Sequence, residues 1–421
     1  MPRRDSAGAQ GGQRLATASA LTAGPVAQLL GVLDRDGEEA RIVGGAVRDA
    51  LLGGTIGDLD VATTALPDEV IRRVEAAGFK AVPTGIGHGT LTVVVDGRPF
   101  EVTTLRVDVE TFGRRATVRF GRDWKADAER RDFTVNALSV AADGTLYDYV
   151  GGLDDLRARR VRFIGDPATR IAEDYLRILR FFRFHAAYGE GEPDAAGLRA
   201  CIAARAGLDQ LSRERVRMEV LKLLLAHGAT PALTAMSEAG LLLPVLGGVP
   251  LIPAFAAMAA REAALGLQSD AIRRLGALAV LVTEDADRLW QRLRLANVEH
   301  ERLLTMGDGW WRVAPRDGEQ SARALLYRLG PQRYVDRVLL AWAHADAGAT
   351  DADWHAVATL PQRWTAPRFP LKAANFIVRG VAKGPALGAA MRAAEMAWIA
   401  EGFPAHSAAL ARIADTAAGR A

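Results

Sequence analysis

The sequence predicts an α+β fold, a mixed-sheet head followed by an all-helical remainder, and three observations carry that prediction. Thr90 to Asp96 (TLTVVVD) and Pro99 to Leu105 (PFEVTTL) are β-rich runs joined by Asp96-Gly97, a strong hairpin signal. Beyond Gly165 almost every segment reads as Ala/Leu/Arg-rich helix, broken at Pro231, Pro244, Pro250, Pro331 and Pro367. At 421 residues the chain exceeds what one hydrophobic core usually serves, so two to four domains are expected.

The elements follow in order. Residues 1–24 carry arginines and small residues without a continuous apolar core, which excludes a secretory signal and predicts a disordered leader. Val26, Leu29, Leu30, Val32 and Leu33 predict a helix over Pro25–Leu33 that stops near Asp34–Gly37. A strand-like Ile42-Val43 then runs into Gly44-Gly45, a short helix, and Asp58-Leu59-Asp60. Pro67-Asp68-Glu69 opens the next helix with a proline and two acids in the first turn, and the pattern ends near Gly78. Arg106 to Lys125 reads as an irregular, arginine-rich loop. Ser212 is a candidate N-cap for a helix starting at Arg213. The expected division is a leader over 1–24, a head over 25–155, a helical neck over 156–228, and a helical body and tail over 229–421.

Bulk properties exclude several classes. The composition, 49% hydrophobic and 24% charged, is that of a soluble globular protein. A net charge of +3, from 53 basic and 50 acidic residues, is too near balance to argue nucleic-acid binding by itself. Locally, residues 157–183 hold eight arginines (157, 159, 160, 162, 170, 177, 180, 183) against three acids (Asp166, Glu173, Asp174), and a polyanion is expected there. The single cysteine, Cys201, rules out an intramolecular disulfide and zinc-finger ligation, and fits a reducing cytoplasm. No apolar run approaches the ~18 residues of a membrane span.

Three motifs carry chemistry. In Val43-Gly44-Gly45-Ala46-Val47-Arg48-Asp49, glycine lets a backbone approach a ligand closely, and a helix starting at such a turn offers free N–H groups to phosphate. Gly45 and the planar fork of Arg48 are therefore candidates for a nucleotide triphosphate. Asp58 and Asp60, two apart and expected on one strand face, suit a hard divalent cation, with Glu101 as a third carboxylate. In Arg130-Arg131-Asp132-Phe133-Thr134-Val135-Asn136, Arg131 is the candidate clamp on triphosphate oxygens, while Asp132 and Asn136 hold backbone and turns. In Glu173-Asp174-Tyr175-Leu176-Arg177-Ile178-Leu179-Arg180-Phe181-Phe182-Arg183, a single helix is expected. Its apolar stripe is Ile171, Tyr175, Ile178, Leu179 and Phe182, with Asp174, Arg177 and Arg180 on the opposite face.

Taken together these motifs resemble the class II tRNA nucleotidyltransferase / bacterial poly(A) polymerase family, with its GGxVRD turn, DxD pair, RRDFTxNAL block and EDxxRxxR helix. The likeness is dense from Arg41 to about Arg217 and thin afterwards. It implies a nucleotidyltransferase head of polymerase-β-like architecture, Mg²⁺ on Asp58 and Asp60, and CTP and ATP as substrates. It also implies the tRNA 3′ end as acceptor, with no membrane and no obligate protein partner. In that setting Asp174 would accept from the amino group shared by cytosine and adenine, and Arg177 would donate to their ring nitrogen. Uracil and guanine reverse that pattern, a mismatch that can discriminate by roughly 10⁴-fold. Arg180 and Arg183 would contact phosphates or the RNA end.

Within the family, Thr84-Gly85-Ile86-Gly87-His88-Gly89-Thr90 resembles the CCA-adding form, and poly(A) polymerases carry an arginine-rich segment there. The loop from Arg106 to Trp124 favours full CCA addition over partial addition. A poly(A) polymerase and a catalytically inactive RNA-binding protein are the alternatives. His344 and Asp346 are separated by Ala345, so the chain lacks a contiguous His-Asp, and no phosphohydrolase activity is expected.

Overall fold

The structure, a computed structural model, describes residues 18–112 and 115–419. It divides into two compact units, one running to Val245 and one from Leu246 onward.

The first unit begins with α1 (Ala18–Thr22), α2 (Pro25–Leu33), β1 (Ala40–Val43), α3 (Gly45–Leu51), β2 (Asp60–Thr63) and α4 (Pro67–Ala76). Next come β3 (Lys80–Gly85), β4 (Thr90–Val95), β5 (Arg98–Thr104), β6 (Arg106–Phe112), β7 (Arg115–Phe120), α5 (Trp124–Glu129), β8 (Ser139–Ala141) and β9 (Leu146–Tyr147). One seven-stranded sheet runs β3-β4-β5-β2-β1-β8-β9. Its β2–β5 pair is parallel and the other pairs are antiparallel, so the sheet is mixed. Helices α2 and α4 pack on the β3–β4 side, α2 burying Val26, Leu29, Leu30 and Leu33 and α4 burying Val70 and Val74. The β4–β5 turn is the expected two-residue hairpin, with both Asp96 (φ 50°) and Gly97 (φ 75°) left-handed.

Two local expectations are corrected. Residues 18–22, assigned to a disordered leader, form α1 and bury Leu21 completely. Residues 106–120, read as an irregular loop, form the β6–β7 ribbon. The segment is rich in arginine, but the β-branched alternation of Val107, Val109 and Thr111 in the sequence suits a strand. Gly113 and Arg114, inside the expected loop, lie outside the described residues.

The remainder of this unit is helical: α6 (Gly152–Arg157), α7 (Pro167–Glu173), α8 (Leu176–Tyr188), α9 (Ala195–Ala203), α10 (Arg213–Leu225) and α11 (Ala229–Glu238). Phe133, just after the arginine pair, packs its ring at a tilt 4.8 Å from Phe163 and 5.2 Å from Phe184, and so anchors α8 to the head. Helix α8 in turn packs on α10 and α11. Ser212 does occupy the N-cap of α10, but its hydroxyl makes no capping bond. Pro231 lies in the first turn of α11 rather than between helices, a position where the missing N–H is harmless.

The second unit is built of helices alone among the described residues, including Ile252–Ala264, Ala271–Ala279, Asn297–Gly307, Gly318–Leu329, Pro331–His344 and Pro385–Ala400. Pro331 opens its helix instead of ending one. It contains a buried ionic cluster. Asp336, fully buried, accepts from Arg273 Nε and Arg302 Nε at 2.8 Å each. Glu262 accepts from Arg273 at 2.9 Å and Arg274 at 2.7 Å.

Candidate active site

Strand register sets the site. Ser139, Val43, Asp60, Glu101, Thr92 and Val82 are paired strand to strand, forming one row across β8, β1, β2, β5, β4 and β3. Paired residues point to the same face, so Asp60 and Glu101 stand side by side, about 5 Å apart at their backbones. Asp58 does not share the strand as expected: β2 begins at Asp60, and Asp58 lies in the exposed turn before it. Asp58 nonetheless acts electrostatically on Asp60, whose carboxyl is pushed from the ordinary 3.8 up to about 6. Desolvation is the largest cause, then Glu101, with Arg131 opposing and Asp58 adding a smaller rise. The Asp60 side chain is solvent-exposed, so desolvation here means crowding at the end of the strand rather than enclosure.

Neighbouring carboxylates that the Arg131 charge offsets only in part fit a hard divalent cation. Among the described residues no group of three or more His, Cys, Asp or Glu side chains is placed to hold a metal ion. Mg²⁺ takes one or two carboxylates and completes its shell with water and substrate phosphates.

The glycine turn supplies the other half. Gly44 is left-handed (φ 73°) and caps α3, and a side-chain carbon placed there would lie 3.3 Å from Arg131 Nη1. Arg131 thus lies against the turn while its charge reaches Asp60. Its protein contacts, Asn136 O and Asp127 Oδ2, are both long at 3.3 Å. Gly45 opens α3 beside Arg48.

Arg48 itself is a correction. Its side chain is buried, donating to Asn136 Oδ1 at 2.5 Å, to the Tyr188 hydroxyl at 2.7 Å and to Asp49 at 3.0 Å, with its charge over the Tyr188 ring. A fork so occupied ties α3 to α8 rather than facing a phosphate.

The third motif is also corrected. It is not one helix: α7 ends at Glu173, Asp174 is extended (φ −157°, ψ 106°), and α8 starts at Leu176. The break frees Asp174 from the helical face. Arg215 of α10 grips it at 3.2 and 2.5 Å, and Leu176 N donates to Oδ1 at 3.1 Å. A carboxylate has about four lone-pair sites. Three are taken, so one on Oδ2 stays open to an amino donor. Arg177 bonds through Nη1 to Arg170 O at 2.7 Å and to Glu173, which leaves Nε and Nη2 as donors.

Arg180 and Arg183 point elsewhere. Arg180 holds Asp132 at 2.6 Å and reaches Glu219, while Arg183 pairs with Glu219. Burial would raise the Asp132 carboxyl, yet Arg180, Asn136 and the Phe133 N–H hold it below its ordinary value. These groups lock α8 between the head and α10. Indeed all eight arginines of residues 157–183 have carboxylate partners, several outside that window: Asp154, Glu190, Asp155, Asp132 and Glu219. The expected polyanion patch is thus largely neutralised. Arg215 and Glu219 escaped sequence reasoning, although their i,i+4 spacing puts them on one face of α10.

A mixed sheet presenting paired carboxylates beside a Gly–Arg cradle, with a hydrogen-bonding helix break in the same unit, defines a nucleotidyltransferase. Residues 40–162 match the family described as the Poly A polymerase head domain, and residues 195–255 the probable RNA and SrmB-binding site of polymerase A. The mitochondrial CCA tRNA nucleotidyltransferase 1 of Homo sapiens is 32% identical over 88% of this chain and 85% of its own length. The Danio rerio protein of that name is 48% identical over 48% of each chain, so that match spans about half its length. The Bacillus stearothermophilus CCA-adding enzyme, solved in complex with CTP, superposes with a TM-score of 0.74 at 27% identity, covering 94% of this chain and 98% of that one. The chain belongs to the family of CCA-adding tRNA nucleotidyltransferases.

Proposed function

We propose that this protein adds CCA to the 3′ end of tRNA by template-independent nucleotidyl transfer from CTP and ATP, releasing pyrophosphate. The observation that carries it is the Asp60–Glu101 row flanked by the Gly44–Arg131 cradle. Arg131 binds and orients triphosphate oxygens. Asp58 and Asp60 would hold Mg²⁺, which when bound supplies charge stabilisation at phosphorus and favours ionisation of the attacking hydroxyl. Glu101 extends the carboxylate row toward the acceptor. Asp174 accepts from the base amino group and Arg177 donates to the ring nitrogen, with Arg215 holding the Asp174 carboxyl in place. We assign 25–155 as head, 156–228 as neck and 229–421 as the tRNA-binding body and tail.

The second unit offers a surface for the RNA backbone. Arg312, Arg328, Arg368 and Arg392 have no carboxylate partner among the described residues and line two adjoining spaces. One is a cavity of about 270 Å³ and the other a groove of about 930 Å³, with Arg328 on both. Replacing Arg328 and Arg368 by Gln should weaken tRNA binding and reduce the salt slope by about 1 per lost phosphate contact, with KM for CTP unchanged. An unaltered salt slope in binding titrations rejects that surface. No helix among the described residues is long and apolar enough to cross a membrane. Buried Cys201, the only cysteine, suits a reducing compartment such as the cytoplasm. Function is tested by giving tRNA that lacks its CCA end single labelled nucleotides in turn. Incorporation of two C and then one A is expected, and an A-only ladder of indefinite length overturns the reading.

A further inference from the structure

In-line displacement at phosphorus places the attacking and leaving oxygens on opposite sides. The Gly44 turn and Arg131 stand on the β1 side of Asp60. The triphosphate's leaving end therefore lies there, and the acceptor's terminal ribose must come in over β5 and β4. That part of the catalytic face is built of hydroxyls. Thr92 is directly opposite Glu101, and Thr103 is opposite Thr90 in the next row. Neighbouring strands are about 4.8 Å apart, so Thr92 stands roughly one sugar ring beyond Glu101. Thr84 and Thr92 share a hydrogen bond of 3.1 Å between hydroxyls, and Thr90 and Thr103 share one of 3.2 Å. A hydroxyl has one donor and two acceptor positions, so one contact to a neighbour leaves each with capacity for a ligand. Thr90, Thr92 and Thr103 are half-buried and Thr84 is exposed. A phosphate would be repelled by Glu101 and Asp60; a neutral sugar would not.

We propose that Thr92 and Thr103 hold the terminal ribose of the acceptor strand through its 2′-hydroxyl, which makes the head selective for ribose-ended acceptors. The proposal rests on the function given above. The 2′-hydroxyl is the group by which a protein tells RNA from DNA at one position, and a threonine hydroxyl can either donate to it or accept from it. Thr92→Val and Thr103→Val remove the hydroxyl and keep a β-branched shape that suits the strand.

The test compares CMP incorporation into two tRNAs lacking CCA, one ending in a ribonucleotide and the other in a single 2′-deoxynucleotide. The wild type is expected to prefer the ribose end. In either variant kcat/KM on the ribose-ended tRNA should fall roughly 3- to 10-fold, the scale of one neutral hydrogen bond. The deoxy-ended tRNA and KM for CTP should be nearly unmoved, so the preference collapses. A wild type without preference, variants that keep it, or equal losses on both acceptors overturn the proposal. A wild type that extends neither acceptor contradicts the function itself, and this proposal with it.

Discussion

Asp60→Asn is expected to abolish nucleotide incorporation while leaving the protein at least as stable as the parent at neutral pH. Second-layer partners of metal ligands already cost 10–100-fold when removed, so loss of a direct ligand should exceed about 100-fold in kcat. The stability side follows from the raised carboxyl. In the folded protein Asp60 titrates near 6 rather than 3.8, because desolvation and the neighbours Glu101 and Asp58 disfavour its charge. A raised pKa means that the folded state holds the proton more tightly than the unfolded one. Its stabilising contribution is complete below about 4 and is lost as pH rises through about 6. Melting curves of the parent without divalent cation should therefore decline across that window, less steeply in Asp60→Asn. Added Mg²⁺ should raise the parent's melting temperature at pH 7 and not the variant's. An Asp60→Asn protein that is both fully active and metal-responsive would contradict the metal assignment.

The largest stability effect is expected at Asp336→Ala in the second unit. Asp336 is fully buried and is the shared acceptor for Arg273 and Arg302. Removing one partner of a buried ion pair leaves uncompensated charge and costs about 3–5 kcal/mol. At roughly 2–4 °C per kcal/mol for a unit of this size, the melting transition should fall by about 10 °C. Asp336→Asn, which retains an acceptor, should lose less. The measurement is calorimetric melting of the three proteins. A shift within 1–2 °C for Asp336→Ala would show that Glu262 and Asp270 compensate both arginines unaided.

The head was legible because its signals are local. The Asp96-Gly97 hairpin and the helices opening at Pro25 and Pro67 follow from turn chemistry and capping, and the structure has them. Glu101 was legible as a strand residue between core-facing Phe100 and Val102, and the register brings it beside Asp60. What sequence could not supply was pairing between distant segments. A helical wheel put Asp174 on one face with Arg180, but the chain breaks at Asp174, and tertiary contact with Arg215 overrides the period. Arg48, Arg180 and Arg183 looked available for phosphate because their partners Asn136, Tyr188, Asp132 and Glu219 lie 36 to 140 residues away. The β6–β7 ribbon is hidden in the sequence by its arginines, which mask the β-branched alternation of Val107, Val109 and Thr111.

The most direct measurement is the ratio of kcat/KM for CTP to that for UTP on tRNA lacking CCA, in the wild type and in Asp174→Ala. Base selection by side chains predicts discrimination of roughly 10⁴-fold in the wild type. In the variant it should collapse by at least about 100-fold while some incorporation persists. Discrimination that survives intact in Asp174→Ala would contradict the account, because the choice of base would then lie somewhere other than the break between α7 and α8.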